Sequence, residues 1–305
     1  MAAPPLTALR AFEAIARHRS LSRAGDELRV THAAVSHQLK NLEDWFGVPM
    51  AFRSGRGIQL TPIGEGLARQ LTAAFRQLDA ACEHTLKLTK GGYLRVGCIP
   101  SIASRWLVPH LADFGKVYPD AEIEVVYAKA DDRLAGSLLD VLITYTEDGE
   151  SGVRSEYLFS RINKPVCSRS FLEKWGAPKD ATWFSQTPLL HDEAREAWWE
   201  WLGKAGIQTN HADTGPIYPD FNMLATAVIA GHGVALCPIE VFRQEIASGD
   251  LIVLSEVSTK SDNAYFAKIR ENAQPIATAF VSWFVGCIRE INLVSALVQN
   301  NSKPD

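Results

Sequence analysis

The sequence predicts a chain of two unlike parts: an all-α winged helix-turn-helix at the N-terminus, followed by a long helix and a larger α/β body. Three observations predict this. Apolar residues recur at helical spacing through the first 46 residues, an apolar repeat of three- and four-residue steps spans 62–89, and short apolar strands alternate with helical stretches from Tyr93 onward. A length of 305 residues suits about two domains.

Charge is distributed unevenly between the two parts. Residues 1–90 carry 12 Lys and Arg against 8 Asp and Glu, whereas the remaining residues carry 19 against 27. The net charge of −4 therefore combines a mildly basic head with an acidic body. Such a head is suited to a polyanionic partner.

Composition argues against several other classes of protein. The five cysteines are scattered without disulfide or zinc-ligand spacing, so we expect reduced thiols and neither metal nor cofactor. The start MAAPPLTALR does not resemble a secretion signal, and the apolar run 276–288 is shorter than the roughly 18 residues that a membrane span needs. We therefore expect a cytoplasmic protein with no membrane partner.

Three helices are predicted in the head. The first covers residues 6–18. Ser22 is predicted to cap a second helix that ends at Leu28, and Thr31 to cap a third that begins at His32. In the third helix the apolar residues form one stripe for burial: Val35, Leu39 and Leu42.

The opposite face of the third helix is chemically suited to the major groove of DNA. Small side chains such as Ala33 and Ser36 allow close approach, and an Ala methyl can pack on a thymine methyl. Polar side chains there can hydrogen-bond base edges or phosphates. The predicted contact residues are His32, Ala33, Ser36, His37, Gln38 and Lys40. A plain solvent-exposed helix surface remains the alternative for this face taken alone.

A basic, glycine-rich turn follows the third helix. Arg53 and Arg56 flank Ser54 and Gly55, and Ile58 and Leu60 continue in strand-like alternation. A hairpin with two arginines at its tip can lie along a phosphate backbone, as the wing of a winged helix does. A solvated loop is the alternative, and it is less apt directly after a helix-turn-helix.

These residues make the head recognisable. The segment from about Leu6 to Leu67, with the core AVSHQLKNLE, closely resembles the DNA-binding head of LysR-type transcriptional regulators. The resemblance implies a recognition helix that carries Ala33, Ser36, His37 and Lys40, and a wing that carries Arg53 and Arg56. His37 stands where many members carry Arg, so we expect that contact to be weaker or pH-dependent. Ala51-Phe52 replaces the usual Phe-Arg pair, which removes one expected phosphate contact and a core aromatic.

A long helix is predicted after the wing. Thr61-Pro62 is a sound helix start, and a helix over 62–89 would be about 40 Å long. Its apolar positions form one heptad-like seam: Leu67, Leu71, Ala74, Leu78, Ala81, Thr85 and Leu88. The helix can pack on its own domain or pair with that of a second subunit. The resemblance favours pairing through Leu67, Leu71 and Leu78, and it implies a homodimer that is commonly assembled further into a homotetramer.

In the body, short apolar runs predict strands at Leu94–Ile99, Glu122–Ala128, Val141–Tyr145, Pro188–Leu190, Val234–Cys237 and Leu251–Leu254. Strand, Pro100, Ser101 and then a helical stretch place a helix N-terminus at the end of the first strand. Exposed N–H groups there, with Ser101, could bind an anion such as a carboxylate. Alternatively, Ser101 only caps its helix.

The body also resembles the LysR-type effector domain, most closely in the branch that includes the glycine-cleavage activator. The resembling pieces include LRVGCIPSIASRWLVPHLADF and GPIYPDFNMLATAVIAGHGVALCPIEVF. The fold implied is that of periplasmic solute-binding proteins, two α/β lobes with crossings near Asn163-Lys164 and Asp262-Asn263. The cleft residues implied are Ser101, Ile102, Ala128, Tyr145, Phe221 and Tyr265. Core positions remain an equal alternative for Tyr145 and Phe221. Thr144 stands where the branch often has Arg.

Together these features predict a DNA-binding domain over 1–61, a dimerisation helix over 62–90 and an effector-binding domain over 91–305. The last divides into one lobe over about 91–163 and 263–292 and another over about 164–262. The expected function is sequence-specific transcriptional regulation, modulated by an anionic metabolite between the lobes. Expected partners are an inverted-repeat promoter site, a second copy and, for an activator, RNA polymerase. No catalytic motif such as GxSxG or HExxH is present in the sequence, so an enzyme is not expected.

Overall fold

In a computed structural model, the chain forms two compact units, Met1–Thr89 and Lys90–Asp305. The structure describes residues 5–55, 57–89, 91–145, 149–193, 195–207 and 211–301, with the side chains of 181, 211 and 294–301 left out. We refer to the first unit as the head and to the second as the body.

The head follows the predicted order of elements. Its helices are α1 (Leu6–His18), α2 (Leu21–Leu28), α3 (His32–Phe46) and α4 (Pro62–Thr89), and a hairpin of β1 (Ala51–Ser54) and β2 (Gly57–Leu60) lies between α3 and α4. The fully buried side chains that join these elements include Phe12, Ile15, Val35, Leu42 and Met50.

Side-chain caps fix where three of these helices begin. The Thr31 hydroxyl accepts the N–H of Ala34 at 3.2 Å, and the Thr61 hydroxyl accepts the N–H of Gly64 at 3.1 Å, which confirms two of the predicted caps. The prediction for α2 was wrong by two residues. Ser20 has the extended backbone of a cap, and its hydroxyl accepts the N–H of Arg23 at 3.3 Å, whereas Ser22 lies inside the first turn.

Helix α4 packs on α1 over its first half. Glu13 of α1, only 3% exposed, accepts a hydrogen bond from the Thr72 hydroxyl at 3.2 Å, and the Arg10 guanidinium lies 4.7 Å from the centre of the Phe75 ring. Leu67 and Leu71 are likewise partly buried against the head core. Farther along the seam, Leu78 is 58% exposed and Thr85 is also exposed, whereas Ala81 and Leu88 are partly exposed. The predicted apolar seam is therefore divided between a packed half and an exposed half.

The body contains two five-stranded sheets, one for each lobe. The strands of lobe I are β3 (Tyr93–Cys98), β4 (Glu122–Tyr127), β5 (Val141–Thr144), β6 (Val153–Ser160) and β12 (Ala264–Arg270). Their order in the sheet is β4-β3-β5-β12-β6, with β3 parallel to β4 and β5, and with β12 antiparallel to its neighbours.

The strands of lobe II are β7 (Asn163–Cys167), β8 (Leu189–Asp192), β9 (Ile217–Tyr218), β10 (Val234–Pro238) and β11 (Ile252–Val253). Their order in the sheet is β11-β7-β10-β8-β9, with β8 parallel to β9 and β10.

Helices cover both sheets. They are α5 (Pro100–Ile102), α6 (Leu111–Val117), α7 (Arg169–Trp175), α8 (Glu196–Lys204), α9 (Phe221–Ile229), α10 (Arg243–Ser248) and α11 (Pro275–Asn301). The helical stretch predicted after Ser101 is irregular, because a π turn (Ala103–Leu107) and a 3-10 turn (Val108–His110) separate α5 from α6. Pro109 explains part of this irregularity, since it has no N–H to donate to a regular helix.

Two antiparallel crossings join the lobes. The chain leaves lobe I after β6 and enters lobe II at β7, and it returns through residues 259–263 into β12. The Arg161 N–H donates to the carbonyl oxygen of Asn263 at 2.8 Å. Asn163 and Thr259 exchange two backbone hydrogen bonds of 3.0 Å. The two crossings are therefore hydrogen-bonded to each other.

Helix α11 is apolar over much of its length, and part of its apolar surface is buried in the body. By length and hydropathy, Pro275–Leu293 would suffice to cross a membrane, although the apolar run 276–288 was expected to be too short. About 33% of the segment is buried inside the body, and Phe280, Phe284 and Ile288 complete the core of lobe I. Packing on the sheet accounts for these side chains.

Two glycines in α4 provide a stability test of the close contact between α4 and the segment that precedes the wing. A Cβ on Gly64 would lie 2.1 Å from the carbonyl oxygen of Met50, whereas nothing lies within 4 Å of a Cβ on Gly66. Gly66→Ala should raise the free energy of unfolding by up to about 1 kcal/mol, since Ala favours helix. Gly64→Ala should lower it by about 1–3 kcal/mol, as overpacking does. Urea denaturation measures both, and equal stabilisation by the two substitutions would contradict the contact.

Candidate functional site

The predicted recognition surface lies on the solvent side of α3. His32, Ala33, His37 and Lys40 are exposed, and Ser36 and Gln38 are partly exposed. On the other side of the helix Val35 and Leu42 are fully buried. The helix therefore presents all six predicted residues to solvent while its apolar stripe is buried in the head core.

A shallow concavity of about 320 Å³ extends this surface to the wing. It brings together the beginnings of α2 and α3 and the tip of the hairpin. It is lined by Ser20, Leu21, Ser22, His32, Arg53, Gly55, Gly57 and Ile58. The wing is held here by a hydrogen bond of 2.9 Å from the Ile58 N–H to the Arg19 carbonyl oxygen. Hydroxyl groups and a guanidinium in one concavity suit a phosphate group. Arg56, the other predicted wing residue, lies outside the described residues.

The body contains a cavity of about 610 Å³ between its two lobes. It lies where parallel strands end, the usual position of ligands in open α/β sheets. Residues 99–101 follow β3, residues 127–131 lie at the end of β4, and Tyr145 follows β5. From lobe II come Asp192 and Glu193 at the end of β8, and residues 219–221, which follow β9.

Four of the six predicted effector residues line this cavity: Ser101, Ala128, Tyr145 and Phe221. The other two lie outside its lining. Ile102 has no exposed surface and joins the apolar core of the body, because it points away from the cavity on the turn that carries Ser101. Tyr265 is 1% exposed and packs between Phe159 and Tyr145, with ring centres 5.2 and 6.2 Å away.

Arg161 is the most distinctive residue in the cavity, and the sequence analysis did not single it out. It lies on the first crossing and is 8% exposed. Its guanidinium carbon is 3.8 Å from the centre of the Tyr145 ring and 5.8 Å from that of Phe221, so it contacts an aromatic wall from each lobe. Over the described residues, its Nε has no hydrogen-bond partner, and no carboxylate forms an ion pair with its guanidinium.

Thr144 does not interact with this cavity. It is fully buried, and its hydroxyl donates to the carbonyl oxygen of Ala130 at 3.4 Å. The resemblance implied that related chains often carry Arg at this position. In this chain a cleft guanidinium comes from Arg161 instead, on the crossing and not on β5.

Carboxylates face the same cavity from lobe II. Burial raises the pKa of Asp192, and the charge of Arg161 opposes that shift. Glu193 is exposed, and its φ of 46° places it in the left-handed region, which is uncommon for a side chain of this kind. Its N–H donates to the carbonyl oxygen of Tyr218 at 2.8 Å, which holds the unusual turn. Such backbone strain is frequent at functional sites.

Direct contacts between the lobes adjoin the cavity. The Ser104 hydroxyl donates to Asn222 Oδ1 at 3.0 Å, and the Arg105 Nε donates to Glu245 Oε1 at 2.6 Å. The latter is an ion pair in which both side chains are less than 20% exposed. The arrangement of the lobes therefore depends on polar contacts at Ser104, three residues after Ser101, and at Asn222, which follows Phe221.

All five cysteines are free thiols. Burial raises the pKa of Cys98, Cys167 and Cys237, in the case of Cys167 to about 12, whereas Cys82 on α4 is exposed. Over the described residues, no cluster of three or more His, Cys, Asp or Glu side chains could hold a metal ion.

The raised pKa of Asp192 predicts a pH-dependent cost in stability. Because the folded-state pKa lies above the unfolded value, the stability that protonation contributes is complete below about pH 4 and is lost as pH rises through the folded-state pKa. Asp192→Asn should therefore raise the melting temperature at pH 7 and have little effect at acid pH. Calorimetry across this range measures it, with Glu193→Gln at the exposed neighbour as control. A lower melting temperature for Asp192→Asn at pH 7 would contradict the assignment.

Comparison with known proteins identifies the family. Residues 6–65 match the model described as "Bacterial regulatory helix-turn-helix protein, lysR family", and residues 89–290 match "LysR substrate binding domain". The glycine cleavage system transcriptional activator of Escherichia coli K12 is 34% identical over 285 residues, which cover 92% of this chain and 93% of that protein.

Two solved structures share the fold. DarR of Vibrio fischeri, in complex with DNA, has a TM-score of 0.60 at 18% identity and covers 94% of this chain and 100% of its own. The AmpR effector-binding domain of Citrobacter freundii has a TM-score of 0.57 at 21% identity and covers 65% of this chain and 98% of its own. With both family models matched in order along one chain, this protein belongs to the LysR family of bacterial transcriptional regulators, which bind DNA, carry an effector-binding domain and are not enzymes.

Proposed function

We propose that a small molecule bound between the lobes of the body controls how this regulator acts at its promoter. The observation that carries the proposal is the buried guanidinium of Arg161, which faces a cavity walled by both lobes and has no carboxylate partner among the described residues. A buried cation without a counter-ion is costly, and an anionic group on a ligand would offset that cost. Ser101, 3% exposed, and Tyr145 line the same cavity and complete the proposed site.

We infer that α3 enters the major groove and that the wing follows the phosphate backbone. The exposed face of α3 supports base contacts from Ala33, Ser36, His37 and Gln38, with His32 and Lys40 nearer the backbone. The concavity that contains Arg53, Ser20 and Ser22 supports a phosphate position beside the wing. Arg56 is assigned to the same role on the resemblance alone.

The proposed division is a DNA-binding domain over 1–61, a dimerisation helix over 62–90 and an effector-binding domain over 91–305. We infer a homodimer on an inverted-repeat site, because a two-fold dimer offers two recognition helices to two half-sites. Since Leu67 and Leu71 already pack on the head, exposed Leu78 is the strongest candidate for the paired surface. A tetramer, contact with RNA polymerase and a cytoplasmic location belong to the same proposal.

Ligand binding would act by selecting one arrangement of the lobes. A ligand shifts such an equilibrium only by its difference in affinity between the two arrangements. Arg161 supports this coupling, because it lies on a crossing, and its side chain contacts Tyr145 of lobe I and Phe221 of lobe II. A molecule that moves this guanidinium would therefore act on both lobes.

The two kinds of DNA contact predict different effects of substitution. Ser36→Ala should weaken binding at the cognate promoter by roughly 1–3 kcal/mol and leave binding to unrelated DNA almost unchanged. Arg53→Ala should weaken binding to all sequences alike and reduce the slope of log K against log salt by about 1. Gel-shift titrations at several salt concentrations measure both.

Arg76→Ala is the matched control for charge, since Arg76 is exposed on α4 away from the wing. It should leave the salt slope unchanged. If Ser36→Ala and Arg53→Ala both bound the cognate promoter with wild-type affinity, the proposed orientation on DNA would be wrong.

Pairing of α4 can be tested at Leu78. Leu78→Asp would bury an unpaired charge in a paired surface, so it should convert dimers into monomers. Ala73→Asp is the control, because Ala73 is exposed and lies about 140° around the helix from Leu78. Light scattering on the folded full-length variants measures the mass. An unchanged mass for Leu78→Asp would show that the subunits do not pair through this part of α4.

A further inference from the structure

The charges that line the cavity are not those expected for a purely anionic ligand. Within the described lining, Lys129 and Arg161 are opposed by four carboxylates, those of Asp131, Asp192, Glu193 and Asp220. Asp220 is used locally, because it caps α9 and accepts the N–H groups of Asn222 and Met223 at 2.7 and 3.0 Å. The other three carboxylates leave an excess of negative charge, which disfavours a ligand that carries negative charge alone.

The positive half of the cavity is fixed in place. Arg161 is more than nine-tenths buried, and its planar guanidinium is held against the ring of Tyr145. The residue lines the cavity, its buried Nε has no hydrogen-bond partner among the described residues, and no described carboxylate is close enough to form an ion pair with it. A planar guanidinium matches the geometry of a carboxylate, which can accept two parallel hydrogen bonds from it.

Two of these three carboxylates, those of Asp192 and Glu193, lie on lobe II, and Asp131 lies on lobe I after β4. Asp192 is only partly exposed and interacts with its own backbone N–H, and no other described residue donates to its carboxylate. Glu193 follows in a left-handed turn and is exposed, with its carboxylate likewise free of an ion pair among the described residues. Arg161 and Asp192 influence each other electrostatically but are more than the 4.0 Å of an ion pair apart. Among the described residues, the cavity therefore holds opposite charges that do not form an ion pair with each other.

We propose that the effector is a zwitterion whose carboxylate is bound by Arg161 and whose protonated amine lies against Asp192 and Glu193. This inference rests on the proposed function of the cleft and specifies the chemical class of its ligand. A zwitterion provides a partner for each unpaired charge, whereas an anion alone would satisfy Arg161 and be repelled by the carboxylates. The apolar surfaces of Tyr145, Ala128 and Phe221 would contact the carbon skeleton between the two charged groups.

Matched ligands separate the two charges in an experiment on the full-length chain. The melting temperature is measured with free amino acids and dipeptides at millimolar concentration. Each is compared with the acid that lacks the amine and with the amide that lacks the carboxylate. We expect a rise in melting temperature for one or more zwitterions, since a ligand that binds the folded state stabilises it. Removal of either charge from the ligand should raise the dissociation constant at least about tenfold.

Substitutions assign each charge to its partner. Arg161→Met should weaken binding of the zwitterion at least about tenfold, whereas Arg154→Met, an exposed arginine on β6, should not. Asp192→Asn should also weaken binding of the zwitterion, but it should strengthen binding of the acid that lacks the amine. The ratio of the two affinities, which favours the zwitterion in the wild-type chain, should therefore fall at least about tenfold. Glu193→Gln should change the preference in the same direction. If Asp192 had only a structural role, Asp192→Asn would weaken binding of both ligands to the same extent.

Two outcomes would overturn the inference. One is a purely anionic ligand that stabilises the wild-type chain as strongly as its zwitterionic counterpart. The other is a panel in which no zwitterion raises the melting temperature. Ser101→Trp then tests whether the effector binds in the cleft at all, since the Trp side chain would fill the cavity whatever the ligand.

If this variant lost the promoter-reporter response while effector-free DNA binding stayed intact, the cleft would still be the effector site, but for a different class of ligand. A full response from a folded Ser101→Trp variant would reject the proposed function as well, and Ala128→Phe provides a second obstruction should Ser101→Trp fail to fold.

Discussion

The pair of crossings between the lobes is the constraint on which the body depends. Arg161 and Asn163 on the outgoing crossing are hydrogen-bonded to Asn263 and Thr259 on the returning one, so the lobes are joined by a short two-stranded link. The link joins the end of β6 to the start of β7, and the end of lobe II to the start of β12. The carboxyl ends of the parallel strands in both sheets therefore face a common space beside it. The cavity is a result of this topology, and Arg161 lies in it because its backbone belongs to the link.

The cavity is stabilised less well than the core around it. Burial disfavours the ionised form of Asp192, Glu193 has a strained backbone, and the guanidinium of Arg161 is left without a carboxylate in the described structure. A protein selected for stability alone would replace or neutralise these groups, and sites that bind ligands commonly retain such costs. The same groups give the cleft its selectivity, since each unpaired charge discriminates against a ligand that cannot match it.

The sequence predicted the head almost element by element, because its helices have regular apolar spacing and hydroxyl caps, and only the cap of α2 was misplaced between Ser20 and Ser22. In the body, strands with continuous apolar runs were predicted within two residues. Strands β6, β7, β9 and β12 were not, because β6 is a mixed edge strand, β7 contains Pro165, β9 has only two residues and β12 contains Lys268. Arg161 could not be found from local pattern, since one arginine between two unpredicted strands carries no periodic signal, and its burial depends on the crossing.

The distribution of the thiols has a practical consequence for spectroscopy. A thiol reacts as its thiolate, so Cys98, Cys167 and Cys237, which are buried with raised pKa values, should be slow to alkylate in the folded protein. Cys287 is partly buried and also has a raised pKa, which leaves Cys82 on α4 as the most accessible thiol of the five. The natural chain therefore offers a preferred labelling position on its long helix, and a maleimide-linked spin label or fluorophore there would report on that helix without any engineered cysteine.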